Sequence, residues 1–101
     1  MNLPDHLPQQ IIHLARSYDV SRLILFGSRA RGDNHLRSDI DLAVYGLTAS
    51  EVGCFRLDLE DLPTLLQFDV VGIDEDTSTA LLKEIQNDGV VLYDDQTTKL
   101  L

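Results

Sequence analysis

One cysteine, one methionine, three prolines and no tryptophan occur in a chain of 101 residues. The lone Cys54 excludes an internal disulfide and any zinc site built from paired cysteines, and it reads as an ordinary helix residue. Basic residues are also scarce: 8 Lys+Arg against 17 Asp+Glu leave a formal charge of −9. That balance opposes tight, sequence-independent binding to a phosphate backbone, so free DNA or RNA is disfavoured as a ligand. No apolar run approaches membrane-spanning length, and Met1 to His6 lacks the charged-then-apolar pattern of a secretory signal. Cytoplasmic residence without membrane association is therefore the default expectation. A chain of this length builds one core, so residues 1–101 are expected to form a single domain, with no room for a second substrate-binding unit.

What is present is a regular alternation of helical and extended patterns. Leu7, Ile11, Leu14, Ala15 and Tyr18 form one helical stripe, which predicts a helix over about 6–18 with Asp5 as cap and Pro8 in the first turn. Ser21 to Phe26 reads as a buried strand ending in the turn Gly27-Ser28, and Gly32 to Arg37 reads as a loop. A second strand runs from Asp39 to Tyr45. Val52, Phe55, Leu59 and Leu62 recur at helical spacing until Pro63 stops them, and Leu66 to Ile73 is a third strand. Thr77 is placed to cap a helix through Leu81, Leu82 and Ile85, with Gly89 as a C-terminal glycine. Val90 to Tyr93 is a last short strand before a polar tail that is expected to fray. The order predicts an α/β (α+β) fold in which helices flank a small mixed sheet.

The chemistry gathers around Gly27-Ser28, a ten-residue gap, and Asp39-Ile40-Asp41. A strand that opens onto a turn and a helix start leaves backbone N–H groups free to face an anion. Strand alternation puts Asp39 and Asp41 on one face and Ile40 and Leu42 on the other. Two ionised carboxylates side by side repel unless a proton or a cation lies between them, and Mg²⁺ accepts one or two carboxylates together with substrate phosphates. Phosphoryl-type chemistry is the leading reading. Asp69 is a further acid inside an apolar run, while Asp74, in the acidic loop Asp74-Glu75-Asp76, competes with it as a third carboxylate. Arg29 and Arg31 read as phosphate clamps or stabilisers of transition-state charge, and Arg31 reads equally well as a solvated charge.

These residues resemble the minimal nucleotidyltransferase (MNT) branch of the DNA polymerase β-like superfamily. The resemblance runs from Leu23–Gly32 through Ser38–Val44 to Val91–Tyr93. It implies that Asp39, Asp41 and Asp69 bind two divalent metals, Mg²⁺ by preference, and carry the catalysis. Gly27 and Ser28, joined by Arg29, would hold the phosphates of a nucleoside triphosphate such as ATP. Many stand-alone members of this branch are paired with a small helical HEPN protein, often a ribonuclease toxin, and some transfer AMP to a tyrosine of that partner. The resemblance therefore implies a hetero-oligomeric antitoxin encoded next to its HEPN-like partner and acting as a protein adenylyltransferase. A non-catalytic module that covers its partner stoichiometrically is the alternative. His6, His13 and His35 lack the spacing of a metal set, and Tyr45 and Tyr93 at strand ends read as rim packing.

Overall fold

The computed structural model describes residues 1–96, so the end of the tail expected to fray lies outside the described residues. Eight elements follow in the order α1 (Leu7–Ser17), β1 (Arg22–Phe26), α2 (Ser28–Arg31), β2 (Ile40–Tyr45), α3 (Ala49–Glu60), β3 (Phe68–Ile73), α4 (Thr79–Asp88) and β4 (Val90–Asp94). The sheet order is β3-β2-β1-β4. β1 pairs antiparallel with both β2 and β4, whereas β2 and β3 run parallel, with α3 as the crossover that parallel neighbours require. The mixed sheet and its flanking helices agree with the expected α/β architecture. No helix among the described residues is long and apolar enough to cross a membrane.

Period-two patterning assigns the two faces of the sheet. Leu23, Leu25, Ile40, Leu42, Val44, Phe68 and Val70 pack against Leu7, Ile11 and Ala15 of α1 and Phe55 and Leu59 of α3, and this is the main core. On the other face Ile24, Phe26 and Ala43 gather around Ile85 of α4. Asp41 and Asp69 fall on that second face by alternation, where α4 covers β1 and leaves the starts of β2 and β3 open.

Local chemistry corrects several expected boundaries. Helix α1 starts at Leu7 and not on an Asp5 cap: His6 occupies the N-cap in a left-handed conformation (φ 70°) without a side-chain cap, and Pro8 fills the first turn. Helix α3 begins earlier than its apolar stripe, because Thr48 and Glu51 close a capping box, and it ends at Glu60. Ser78, and not Thr77, caps α4; the Thr77 hydroxyl instead accepts from the Asp74 N–H at 2.9 Å. Gly89 is extended (φ −64°, ψ 136°) and not left-handed. Glycine is needed there for closeness, since a Cβ would lie 2.3 Å from the Ile85 carbonyl oxygen and 2.7 Å from Ile24 Cγ2. The helix start expected at the Gly-Ser turn extends for a single turn, Ser28–Arg31, which is α2.

Candidate active site

Two parts of the chain far apart in sequence meet at one end of the sheet. β1 ends there, and the parallel strands β2 and β3 begin there. Register pairs Phe26 with Asp41 and Asp41 with Asp69, so the two carboxylates are lateral neighbours on the open face. The turn after β1 lies directly over them. Gly27 takes φ 75° and ψ −159°, and a Cβ on it would stand 2.3 Å from Asp41 Oδ2. Its hydrogen-only side therefore lets the backbone lie against the carboxylate, in a conformation that L-residues rarely adopt. The Gly27 carbonyl accepts from Ala30 and Arg31 N–H, both at 3.1 Å, and this closes α2. The first N–H groups of such a turn lack intrahelical partners.

The electrostatics of the pair are unfavourable as they stand. Burial pushes the Asp41 carboxyl up to about 6, with further upward pressure from the charges of Asp69, Asp39 and Glu84 and from a hydrogen bond with Asp69. Asp41 is half-buried, whereas Asp69 and Asp39 are exposed. Asp39 lies one residue ahead of β2 and outside the strand. Among the described residues no group of three His, Cys, Asp or Glu side chains is arranged to hold a metal ion. Asp41 and Asp69 form a pair, and Asp39 bears on it only through its charge. That pair fits a hard divalent cation, because Mg²⁺ takes one or two carboxylates and completes its shell with phosphates and waters. The cation would offset the charge that burial and the neighbouring carboxylates make unfavourable on Asp41.

This charge arrangement sets a pH dependence for the metal-free protein. A carboxyl that is raised in the folded state costs no stability while it is protonated in both folded and unfolded chains. It becomes destabilising as pH climbs from the unfolded value near 4 through its folded value of about 6. Asp41→Asn is expected to raise the melting temperature at about pH 8 and to leave it unchanged near pH 3.5. Thermal melts in a chelator across that range check the prediction, and a variant that melts below the wild type at pH 8 would refute it.

The structure sorts the remaining candidates. Asp74 follows the far end of β3, about 16 Å of strand beyond Asp69, where its carboxylate accepts from the Asp76 N–H. Arg29 departs from its expected role. Its side chain is only 3% exposed and donates to the carbonyls of Ser38 (2.9 Å), Asn2 (3.1 Å), Leu36 (3.1 Å) and His35 (3.4 Å). A guanidinium engaged in this way holds the loop before β2 in place and has little left to offer a phosphate. Arg31 is half-exposed and pairs with Asp33 at 3.1 Å and Asp88 at 2.8 Å, bridging α2 to the end of α4. The histidines are exposed. Tyr45 and Tyr93 lie under Arg22 and Arg16 at 5.9 and 5.8 Å, in the rim role expected of them. Glu84 is an addition that sequence reasoning misses; its only signal is its place beside Ile85, the residue that anchors α4 over the open face.

Comparison with known proteins agrees with this geometry. The family model described as Polymerase beta, Nucleotidyltransferase matches residues 9–98. A chain in the crystal structure of a toxin–antitoxin with AMP-PNP is similar at TM-score 0.74 and 27% identity, covering 92% of this chain and 78% of that one. A chain of the toxin–antitoxin MntA–HpeT, in a Y104A mutant, is similar at TM-score 0.73 and 27% identity, covering 98% and 80%. The fold is shared as well with a tri-AMPylated Shewanella oneidensis HEPN toxin in complex with MNT antitoxin, at TM-score 0.68 and 24% identity, covering 93% and 76%. No curated relative matches the sequence.

Proposed function

Because this chain belongs to the polymerase β nucleotidyltransferase family, we propose that it transfers AMP from ATP to a hydroxyl of a partner protein, the partner being the HEPN-like toxin of a toxin–antitoxin pair. The observation that carries the reading is the close approach of the Gly27 turn to Asp41, whose lateral neighbour is Asp69, at one end of the sheet. In this reading the free N–H groups of the turn face the phosphates and the carboxylates face the metal, the combination that a metal-chelated triphosphate requires. A similar solved chain belongs to a toxin–antitoxin that carries AMP-PNP, which supports both the nucleotide and the pairing.

In the proposed reaction the partner hydroxyl oxygen forms a bond to the α-phosphorus of ATP. The bond from that phosphorus to the bridging oxygen breaks, pyrophosphate leaves, and the hydroxyl proton passes to Asp69. Asp41 and Asp69 would hold Mg²⁺, with the charge of Asp39 nearby, and when bound the ion supplies charge neutralisation for the triphosphate and polarises the reacting oxygens. Gly27 and Ser28 orient the phosphates. Glycine matters there because any side chain would displace the Asp41 carboxylate. In this reading the acceptor hydroxyl is supplied by the partner protein.

The dose separates catalysis from coverage. Incubated in substoichiometric amount with the HEPN-like partner of the proposed pair, ATP and Mg²⁺, the chain is expected to leave most partner molecules heavier by one or more AMP units and still silenced after this chain is removed. Intact-mass spectrometry of the re-isolated partner reads the result. An unmodified partner that recovers on separation would establish the stoichiometric module instead.

A further inference from the structure

Two leucines at the site's end of the sheet point into solvent. Leu36, in the loop before β2, is 93% exposed, and Leu65, in the connection before β3, is 100% exposed. Both line one groove of about 540 Å³, together with Arg37, Leu66 and Gln67. Exposed leucines scattered singly need no explanation, but two that share a groove beside reactive groups mark an interaction surface. The groove is continuous with the site: Ile40 N–H donates to the Gln67 carbonyl at 2.9 Å, which ties together the starts of β2 and β3. Gln67 lies only two residues, about 7 Å of strand, ahead of Asp69. Other exposed apolar side chains lie elsewhere, with Leu57 on α3, Leu82 on α4 and Val91 on β4.

We propose that this groove docks the acceptor protein through one amphipathic helix, whose apolar side chains cover Leu36 and Leu65 and whose flanks carry Lys and Arg. The inference rests on the protein-acceptor reading above and names the surface by which that acceptor is held. Charge selects the occupant. The chain carries a formal −9, Arg29 is buried within carbonyls, and Arg22 and Arg31 are neutralised by Asp94, Asp33 and Asp88. Exposed Asp39 follows the loop that carries Leu36, and the Asp33–Arg31–Asp88 cluster before it keeps one net negative charge, so a basic flank is attracted to the rim of the groove. A second copy of this acidic chain would be repelled there. Arg37, a cation that lines the groove, leaves a point for an acceptor group of the docked helix.

The test uses the full chain and the HEPN-like partner of the proposed pair, with Leu36→Asp, Leu65→Asp and the double variant. Leu57→Asp, at another exposed leucine, serves as the control. Circular dichroism verifies folding, and Leu36→Ser with Leu65→Ser replaces any variant that fails to fold. The expected result is a rise of tenfold or more in KM for the partner in each single variant and of about a hundredfold in the double. Turnover at saturating partner and the affinity for a non-hydrolysable ATP analogue should stay unchanged, and Leu57→Asp should behave as wild type. Direct titration of partner against chain without nucleotide reads the same surface, so docking is judged even where no AMP is transferred. An unchanged KM and Kd in the double variant would overturn the proposal, as would a wild type that does not bind that protein. So would a wild-type dimer that the leucine substitutions dissociate without weakening the partner complex, since it would identify a second copy as the occupant.

Discussion

Asp41→Asn is expected to lower the rate of AMP transfer by about 10³-fold or more while the fold stays intact. The side chains are nearly isosteric, but the amide removes the negative charge that a cation must meet and puts N–H donors in its place. Most of the loss should fall on turnover, because electrostatic groups aimed at the reacting phosphate act where charge develops. Labelled-ATP transfer to the partner measures it, and full activity in this variant would mean that the reaction takes place elsewhere on the molecule. The matching change at Asp39 carries separate information. Asp39 is exposed and acts on Asp41 only through its charge. A loss in Asp39→Asn equal to that in Asp41→Asn would mean that the loop carries Asp39 into the metal shell during turnover. Less than a tenfold loss would leave a two-carboxylate site. Asp74→Asn, at the far end of β3, should cost nothing.

The second large effect is on stability. Replacing Arg29 by Met is expected to destabilise the protein by about 2–4 kcal/mol, since four carbonyls lose a charged donor and a 3%-exposed side chain loses its fit. For a domain of this size that corresponds to a fall in melting temperature on the order of 10–20 °C. Arg29→Lys should recover little, because an ammonium lacks the planar fork that reaches carbonyls on three sides. Thermal denaturation decides between the roles. A phosphate clamp would leave the melt unchanged and raise KM for ATP, whereas an anchor lowers the melt and loosens the loop that bears Leu36 and Asp39.

The contrast between these two residues shows which features a sequence displays and which it hides. Asp41 announces itself because strand alternation is local: two apolar neighbours fix its face, and a glycine turn ends the preceding strand. Asp69 stands out over Asp74 for a similar reason, its place within an apolar run, and parallel register puts it opposite Asp41. Arg29 gives no such sign. A basic residue after a Gly-Ser turn looks the same in sequence whether it faces a ligand or folds back on four carbonyls, and those carbonyls belong to residues 2, 35, 36 and 38. Glu84 is hidden likewise, because its influence on Asp41 depends on how α4 crosses the sheet. The caps of α1 and α4 each lie one residue beyond the expected one, because several polar candidates sit side by side and only backbone geometry chooses among them.

The crossover between β2 and β3 also governs when the site comes into being. Asp41 and Asp69 lie 28 positions apart and become neighbours only after α3 has closed the intervening chain, whereas β1 and β2 can meet across a shorter connection. Until that late step each carboxylate is separately hydrated and neither repels the other. The mutual charge that a metal would quench is therefore imposed by the docking of β3 on β2, and a chain without that register has neither the burden nor the pair. The carboxylate pair and the completed parallel register therefore arrive together.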